Sequence, residues 1–151
     1  MSRVVCFGEL LLRMSAPGRE LLLQSAQLAV HPGGAEANVG VSLAHLGHAV
    51  AMVSTLPDNP LGRFVSGELR RHGVDTSHVQ VRPGRMGLYF MEAGAGLRPS
   101  SITYDRAGSA FAVCEPDVLD MAGALDGAAL LHMSGITPAA KSALAACPIR
   151  A

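Results

Sequence analysis

The chain has 151 residues, 49% of them apolar and 4% aromatic, with twelve Lys and Arg balanced by twelve Asp and Glu. That length fits one domain with an aliphatic core, and zero net charge offers no electrostatic case for a nucleic-acid or membrane-surface partner. Cys6, Cys114 and Cys147 are far apart and form no CxxC pair, so neither a disulfide framework nor a zinc site is expected; the absence of a signal-peptide pattern and of a run of about 20 apolar residues adds the expectation of a soluble, cytoplasmic protein.

Val4 to Phe7 is a short apolar run stopped by Gly8, the pattern of a buried parallel strand. Leu10 to Met14, a turn at Ser15-Ala16-Pro17-Gly18, and Glu20 to Leu23 together predict a hairpin leaving the main sheet. A helix is expected from Ala35 to just before Gly47, with Val39, Leu43 and Leu46 as its inward stripe. Ala49 to Leu56 predicts a second buried strand. Asn59 as N-cap and Pro60 at the first helical position then open a second helix, which turns Leu61, Phe64, Val65 and Leu69 inward and ends at Gly73. Two successive strand–helix units imply a parallel sheet with crossover helices.

After this the texture changes. Val79 to Arg82, Gly87 to Glu92 and Ser100 to Arg106 are short strands broken by Pro83-Gly84 and Gly94-Ala95-Gly96, and with the early hairpin they predict a small separate sheet of antiparallel character. A weak helix around Pro116 to Met121 leads to another central strand at Ala128 to Met133, and a short helix is expected within Ala139 to Ala151. A doubly wound sheet of three central strands would be narrow and open at an edge. The sequence therefore reads as one part of a longer fold, or as a chain that pairs with another.

The stretch Pro32-Gly33-Gly34-Ala35-Glu36-Ala37-Asn38 places two glycines at the start of a helix whose first-turn amides are free. This is a candidate site for a polyol or an anion, and equally the composition of an ordinary turn. Tyr89 and Tyr104, the two tyrosines, both fall in the proposed small sheet. Strand alternation puts Ile102, Tyr104 and Arg106 on one face. A tyrosine hydroxyl beside an arginine fork suits a carboxylate on a hydroxylated ligand, although an exposed strand face carries the same residues. His45 and His48 have an i, i+3 spacing but no carboxylate or cysteine nearby in sequence, which favours surface or capping roles over a metal site. Gly94 and Gly96 fit a hairpin turn, and Gly8-Glu9 lacks the GxGxxG spacing of a dinucleotide fingerprint.

Gly8-Glu9, Gly33-Gly34-Ala35-Glu36-Ala37-Asn38-Val39, Leu46-Gly47 and Asp58-Asn59-Pro60-Leu61-Gly62 occur in the order and spacing of the ribokinase-like (PfkB) carbohydrate kinases, and the chain resembles that family from about Val4 to about Pro138. Within it, Gly8-Glu9-Leu10-Leu11-Leu12-Arg13, Tyr89, Tyr104-Asp105-Arg106 and Leu131-His132-Met133-Ser134-Gly135-Ile136 resemble the 2-keto-3-deoxygluconate kinases.

The resemblance implies an α/β fold: a mostly parallel central sheet with flanking helices and a small β-sheet lid, the lid formed by segments about 10–31 and 79–106. Residues 1–151 would be the N-terminal part of a single such domain, with the C-terminal half of the fold absent. Gly33, Gly34 and Asn38 would hold sugar hydroxyls, Tyr89, Tyr104 and Arg106 would reach the carbonyl and carboxylate end of a keto-deoxy sugar acid, and Ile136 would line the pocket. Family members use ATP and Mg²⁺ and often form homodimers through the lid. The family's second signature, Gly-Ala-Gly-Asp, supplies the catalytic base and anion hole; it does not occur in this sequence, and neither does a nucleotide pocket. No catalytic or metal-binding residue is therefore expected, and the chain would hold the substrate-side half of a sugar-acid kinase, inactive alone. The alternatives are a non-catalytic sugar-binding or dimerisation module, and part of a kinase for a neutral sugar of the fructose or ribose type; Arg13, standing near a position where many family members carry aspartate, weighs against a neutral sugar.

Overall fold

The computed structural model describes residues 3–135. The chain runs β1 (Arg3–Phe7), β2 (Leu11–Ser15), a 3₁₀ turn (Leu22–Gln24), β3 (Ala29–Gly33), α1 (Ala35–His45), β4 (Ala49–Pro57), α2 (Pro60–Arg71), β5 (Val74–Asp75), β6 (Val79–Arg82), β7 (Gly87–Glu92), β8 (Ser101–Asp105), α3 (Ala110–Val113), a second 3₁₀ turn (Pro116–Val118), α4 (Met121–Leu125) and β9 (Ala128–His132).

The strands form two sheets. The main sheet is parallel, in the order β5-β4-β1-β9, with β6 also pairing β4; the second has the order β3-β2-β7-β8. In the main sheet β1 is covered on both faces, which explains its unbroken apolar run. Val4 and Cys6 face one core with Val50, Met52, Val65 and Leu69, while Val5 and Phe7 face another with Val53, Phe111, Leu119 and Ala124. Phe7 and Phe111 pack at a ring separation of 6.1 Å.

Several sequence expectations hold. α1 stops before Gly47, which takes φ +87°, and α2 is capped as predicted, with Asn59 Oδ1 accepting from the amides of Leu61 (3.0 Å) and Gly62 (3.1 Å). Gly94 and Gly96 do lie in the turn between β7 and β8, closed by bonds between Ala95 and Arg98.

Other expectations are corrected. The strand that returns against β2 is β3, at Ala29–Gly33, while the predicted Glu20–Leu23 segment includes a 3₁₀ turn with Leu23 fully exposed. β3 contains Pro32, which has no amide to donate, and the sheet tolerates it because β3 is an edge strand. Val79–Arg82 pairs in parallel with Ser54–Pro57 of β4 and so belongs to the main sheet. The second sheet is mixed, because β2 and β7 run parallel.

The inward face of α1 also differs. Leu46 is 75% exposed and Val39 and Leu43 are only half-buried, whereas Ala37 and Gly40 are buried. A Cβ on Gly40 would lie 3.4 Å from Val50 and 3.5 Å from Cys6, so the helix sits on the sheet through its small residues. On α2, Val65 and Leu69 point inward, but Leu61 and Phe64 are exposed. The predicted Pro116–Met121 helix is a 3₁₀ turn followed by α4, and α3, capped by Ser109, precedes it. Ile136 and the helix expected within Ala139–Ala151 lie outside the described residues.

Candidate functional site

In parallel α/β sheets the carboxyl ends of the strands are where backbone diverges and ligands are bound. Here β1 ends at Phe7, and Gly8-Glu9 follows directly. Beside it α1 begins at Ala35, after a glycine with φ +138°, a conformation that side-chain-bearing residues rarely adopt. A Cβ on Gly34 would lie 2.7 Å from the Glu9 carbonyl oxygen, so the close approach of these two segments also requires glycine. The second sheet stands over this junction.

A cleft of about 220 Å³ opens there, lined by Glu9, Leu11, Gly34, Ala35, Glu36 and Asn38 from below and by Tyr89, Ile102, Tyr104 and Arg106 from the second sheet. Strand register explains the upper wall. Tyr89 of β7 is directly opposite Tyr104 of β8, and their rings pack 5.8 Å apart. Alternation places Ile102 and Arg106 on the same side as Tyr104, and the Arg106 guanidinium lies 5.9 Å from the Tyr104 ring centre.

The structure thus brings five of the sequence-predicted residues, Gly34, Asn38, Tyr89, Tyr104 and Arg106, to one cleft. Gly33 has a different place. It lies on β3 with no room for a Cβ, which would stand 2.8 Å from the Tyr89 hydroxyl oxygen. Gly33 therefore lets Tyr89 lie flat against β3, and it lines a neighbouring cavity on the other side of Asn38. Ile136 is outside the described residues.

The electrostatics centre on Glu9, which sequence reasoning did not name as a site residue. Its side chain is 4% exposed. One carboxylate oxygen, Oε1, accepts from the Ser109 hydroxyl at 2.5 Å, and Oε2 stands 2.5 Å from an Arg106 guanidinium nitrogen. That second contact is a close ion pair. Burial pushes the Glu9 carboxyl above its ordinary range, and the Ser109 hydrogen bond and the Arg106 charge only partly offset it. Gly87 makes room, since a Cβ there would sit 2.7 Å from Glu9 Oε1.

Glu36 is the second residue that the sequence reading did not name. It is buried in the first turn of α1, packs under Gly8, and its Oε1 accepts from the Ser134 amide at 2.9 Å, tying the helix to the segment after β9. The available signal for Glu9 was its position, a carboxylate directly after a central strand. Ser109 carried the N-cap signal of a helix too short to show a period.

Chemically, the cleft offers hydroxyl groups, a carboxamide, an arginine and the open start of a helix, the donors and acceptors that suit a small hydroxylated acid. Among the described residues no three His, Cys, Asp or Glu side chains converge to hold a metal ion. His45 instead pairs with His72, at 3.0 Å.

A parallel α/β main sheet with a separate mixed four-stranded sheet beside a polar cleft at the strand ends is the architecture of part of the ribokinase-like fold. The chain belongs to the pfkB family of carbohydrate kinases, whose family model matches residues 1–148. It is 40% identical over 143 residues to the 2-dehydro-3-deoxygalactonokinase of Haloferax volcanii, covering 95% of this chain and 45% of that protein. It is 33% identical over 139 residues to the 2-dehydro-3-deoxygluconokinase of Thermoproteus tenax, covering 91% of this chain and 42% of that one. The crystal structure of a 2-dehydro-3-deoxygluconokinase from Thermotoga maritima superposes with a TM-score of 0.88 at 45% identity, covering 91% of this chain and 42% of that chain. The chain therefore spans less than half the length of the relatives it matches.

Proposed function

We propose that this chain forms the substrate side of a kinase that phosphorylates a 2-keto-3-deoxy sugar acid, and that it binds the sugar acid without transferring phosphate on its own. The observation that carries this reading is the position of Arg106, beside Tyr104 and Tyr89 and across the cleft from Gly34 and Asn38. In this reading Gly34 and Asn38 hold the hydroxyl end, the tyrosine hydroxyls take the carbonyl region, and Arg106 takes the carboxylate. Gly33 contributes by seating Tyr89, and Ile136, which lies outside the described residues, is the further residue proposed to line the pocket. Lid-mediated pairing of two copies belongs to the same reading.

ATP, with Mg²⁺, is the phosphoryl donor in this proposal. The described residues include no acidic cluster for the metal, and no step of the transfer is assigned to this chain. Its own part is to bind and orient the acceptor, the positioning half of phosphoryl-transfer catalysis.

The test is calorimetric titration of the 151-residue chain with 2-keto-3-deoxygluconate and with fructose, before and after Arg106→Ala. A charged hydrogen bond is worth roughly 1.5–3 kcal/mol, so the variant should bind the sugar acid about 10- to 150-fold more weakly. Fructose binding should change little. Equal losses for both sugars would overturn the assignment of Arg106 to a carboxylate, and ATP-dependent phosphorylation by this chain would overturn the binding-only role.

A further inference from the structure

Among the described residues, the lining of the cleft has one basic side chain, Arg106, and two acidic ones, Glu9 and Glu36. Glu36 is buried at the start of α1, with Oε1 on the Ser134 amide. Arg85 stands behind Glu9, but Asp105 pairs with it at 2.6 Å, so that pair adds no net charge. Tyr89 and Tyr104 complete the polar wall with hydroxyl groups. Arg106 is thus the only cation that faces Glu9 without a carboxylate of its own, and Glu9 already occupies it.

Glu9 has no room to swing aside. Its side chain is 4% exposed, Oε1 accepts from the Ser109 hydroxyl, and Oε2 meets the Arg106 guanidinium. Gly87 backs Oε1 so closely that a Cβ there would sit 2.7 Å away. A ligand carboxylate that docks on Arg106 therefore brings a second negative charge to a guanidinium that has one in place. Two carboxylates sharing one site oppose each other's ionisation. A carboxyl group beside a keto group stays ionised across pH 5–8, so the proton that relieves the clash comes from solvent and goes to Glu9. Oε2 is the oxygen to receive it, because Oε1 is engaged by Ser109. Burial, which already pushes the Glu9 carboxyl above its ordinary range, favours the same outcome.

We propose that Glu9 is a positioning residue coupled to the ligand: it holds Arg106 in place in the empty cleft and takes up a proton at Oε2 as a sugar acid docks, an inference that rests on assigning the ligand carboxylate to Arg106. A neutral sugar brings no charge and draws no proton.

The experiment is isothermal titration of the 151-residue chain with 2-keto-3-deoxygluconate from pH 5 to pH 8, using two buffers of unlike ionisation enthalpy at each pH. The buffer dependence of the heat counts the protons taken up. The expected result is an uptake that peaks at no less than about 0.3 proton per ligand, with an affinity that falls as pH rises, by at most about tenfold per pH step. Fructose should give no uptake. Glu9→Gln keeps an acceptor for Ser109 and cannot titrate, so it should bind the acid with no uptake, a flat pH profile and, at pH 8, at least about threefold more tightly than the parent chain. A merely structural role for Glu9 would lower the affinity of the variant alike at every pH and leave the proton count unchanged. Uptake that persists in Glu9→Gln, or equal uptake with fructose, would overturn the coupling. Should the variant fail to fold, the proton count of the parent chain decides. Binding of the sugar acid without uptake overturns the coupling alone, whereas no binding at all overturns the proposed function and the coupling with it.

Discussion

Glu9→Gln separates charge from shape at the floor of the cleft. Glutamine keeps the volume of the side chain and an oxygen that accepts from Ser109, and it removes only the negative charge that faces Arg106. Taking one member out of a buried ion pair ordinarily costs about 3–5 kcal/mol, because the other charge is stranded. Two features lower that figure here. The Arg106 side chain is 22% exposed, so water can reach it. Burial also holds the Glu9 carboxyl above its ordinary range, which means that the fold opposes this charge more than Ser109 and Arg106 favour it. The expected cost of Glu9→Gln at pH 7 is therefore below about 1 kcal/mol. Glu9→Ala is the contrast. It strips the acceptor from the buried Ser109 hydroxyl, at about 1–3 kcal/mol, and deletes packed methylenes worth roughly 0.8 kcal/mol each, for a total near 2–4 kcal/mol.

Urea unfolding of the three proteins at pH 7 measures both costs, and a series from pH 4 to pH 8 measures the linkage. Because the folded value is raised, the contribution of Glu9 to stability is complete below the ordinary glutamate pKa and is lost as pH rises through the folded one. The glutamine variant should lack that slope. Equal destabilisation by glutamine and alanine at pH 7, or a slope that survives in the glutamine variant, would refute the reasoning and make the ion pair the dominant support.

Three further outcomes are expected. Gly34→Ala must adopt φ +138° and meet the Glu9 carbonyl oxygen at 2.7 Å, so it should lose at least about 2 kcal/mol in urea unfolding; a loss under about 0.5 kcal/mol would show that the two segments can separate freely. Asn59→Ala removes both N-cap bonds of α2 and should cost about 1 kcal/mol by the same measurement, with an unchanged midpoint counting against the cap. Burial, reinforced by Glu36, pushes the Cys6 thiol up to about 11, so iodoacetamide at pH 8 should leave Cys6 unmodified in the native chain and alkylate it in urea. Mass spectrometry of the Cys6 peptide checks this, and rapid native labelling would contradict the burial.

What the sequence disclosed followed from how local each signal is. β1, β4 and the capped start of α2 were legible because a buried parallel strand and an Asn-Pro cap are written in consecutive residues. β3 was not, since Pro32-Gly33 reads as a turn and becomes strand only through its edge position beside β2. The parallel pairing of β2 with β7 joins segments some 75 residues apart, and no local pattern encodes it. Helix α1 misled because Leu46 and Val39 outrank Gly40 in hydrophobicity, while close packing on Cys6 and Val50 selects the glycine. At the cleft, the shared face of Ile102, Tyr104 and Arg106 was legible from strand alternation, and Tyr89 stands opposite Tyr104 in the neighbouring strand. Glu9 and Ser109 were missed because their importance lies in a contact made 100 residues apart.

The Glu9–Arg106 ion pair also bears on how the cleft would tell a sugar acid from a neutral sugar. Arg106 comes from beyond β8 and Glu9 from the end of β1, so their ion pair joins the second sheet to the main sheet before any ligand arrives. Holding the guanidinium in place spares a ligand the roughly 0.5–1.5 kcal/mol of ordering that a free arginine would cost. With Glu9 ionised, however, the pair carries no net charge, and Arg106 exerts little pull on a carboxylate from a distance. Discrimination on the proposed reading must then arise at contact, where the nitrogens that Glu9 leaves free meet a carboxylate edge that a neutral sugar lacks. The preference for an acid would accordingly appear in how slowly the ligand leaves rather than in how fast it arrives.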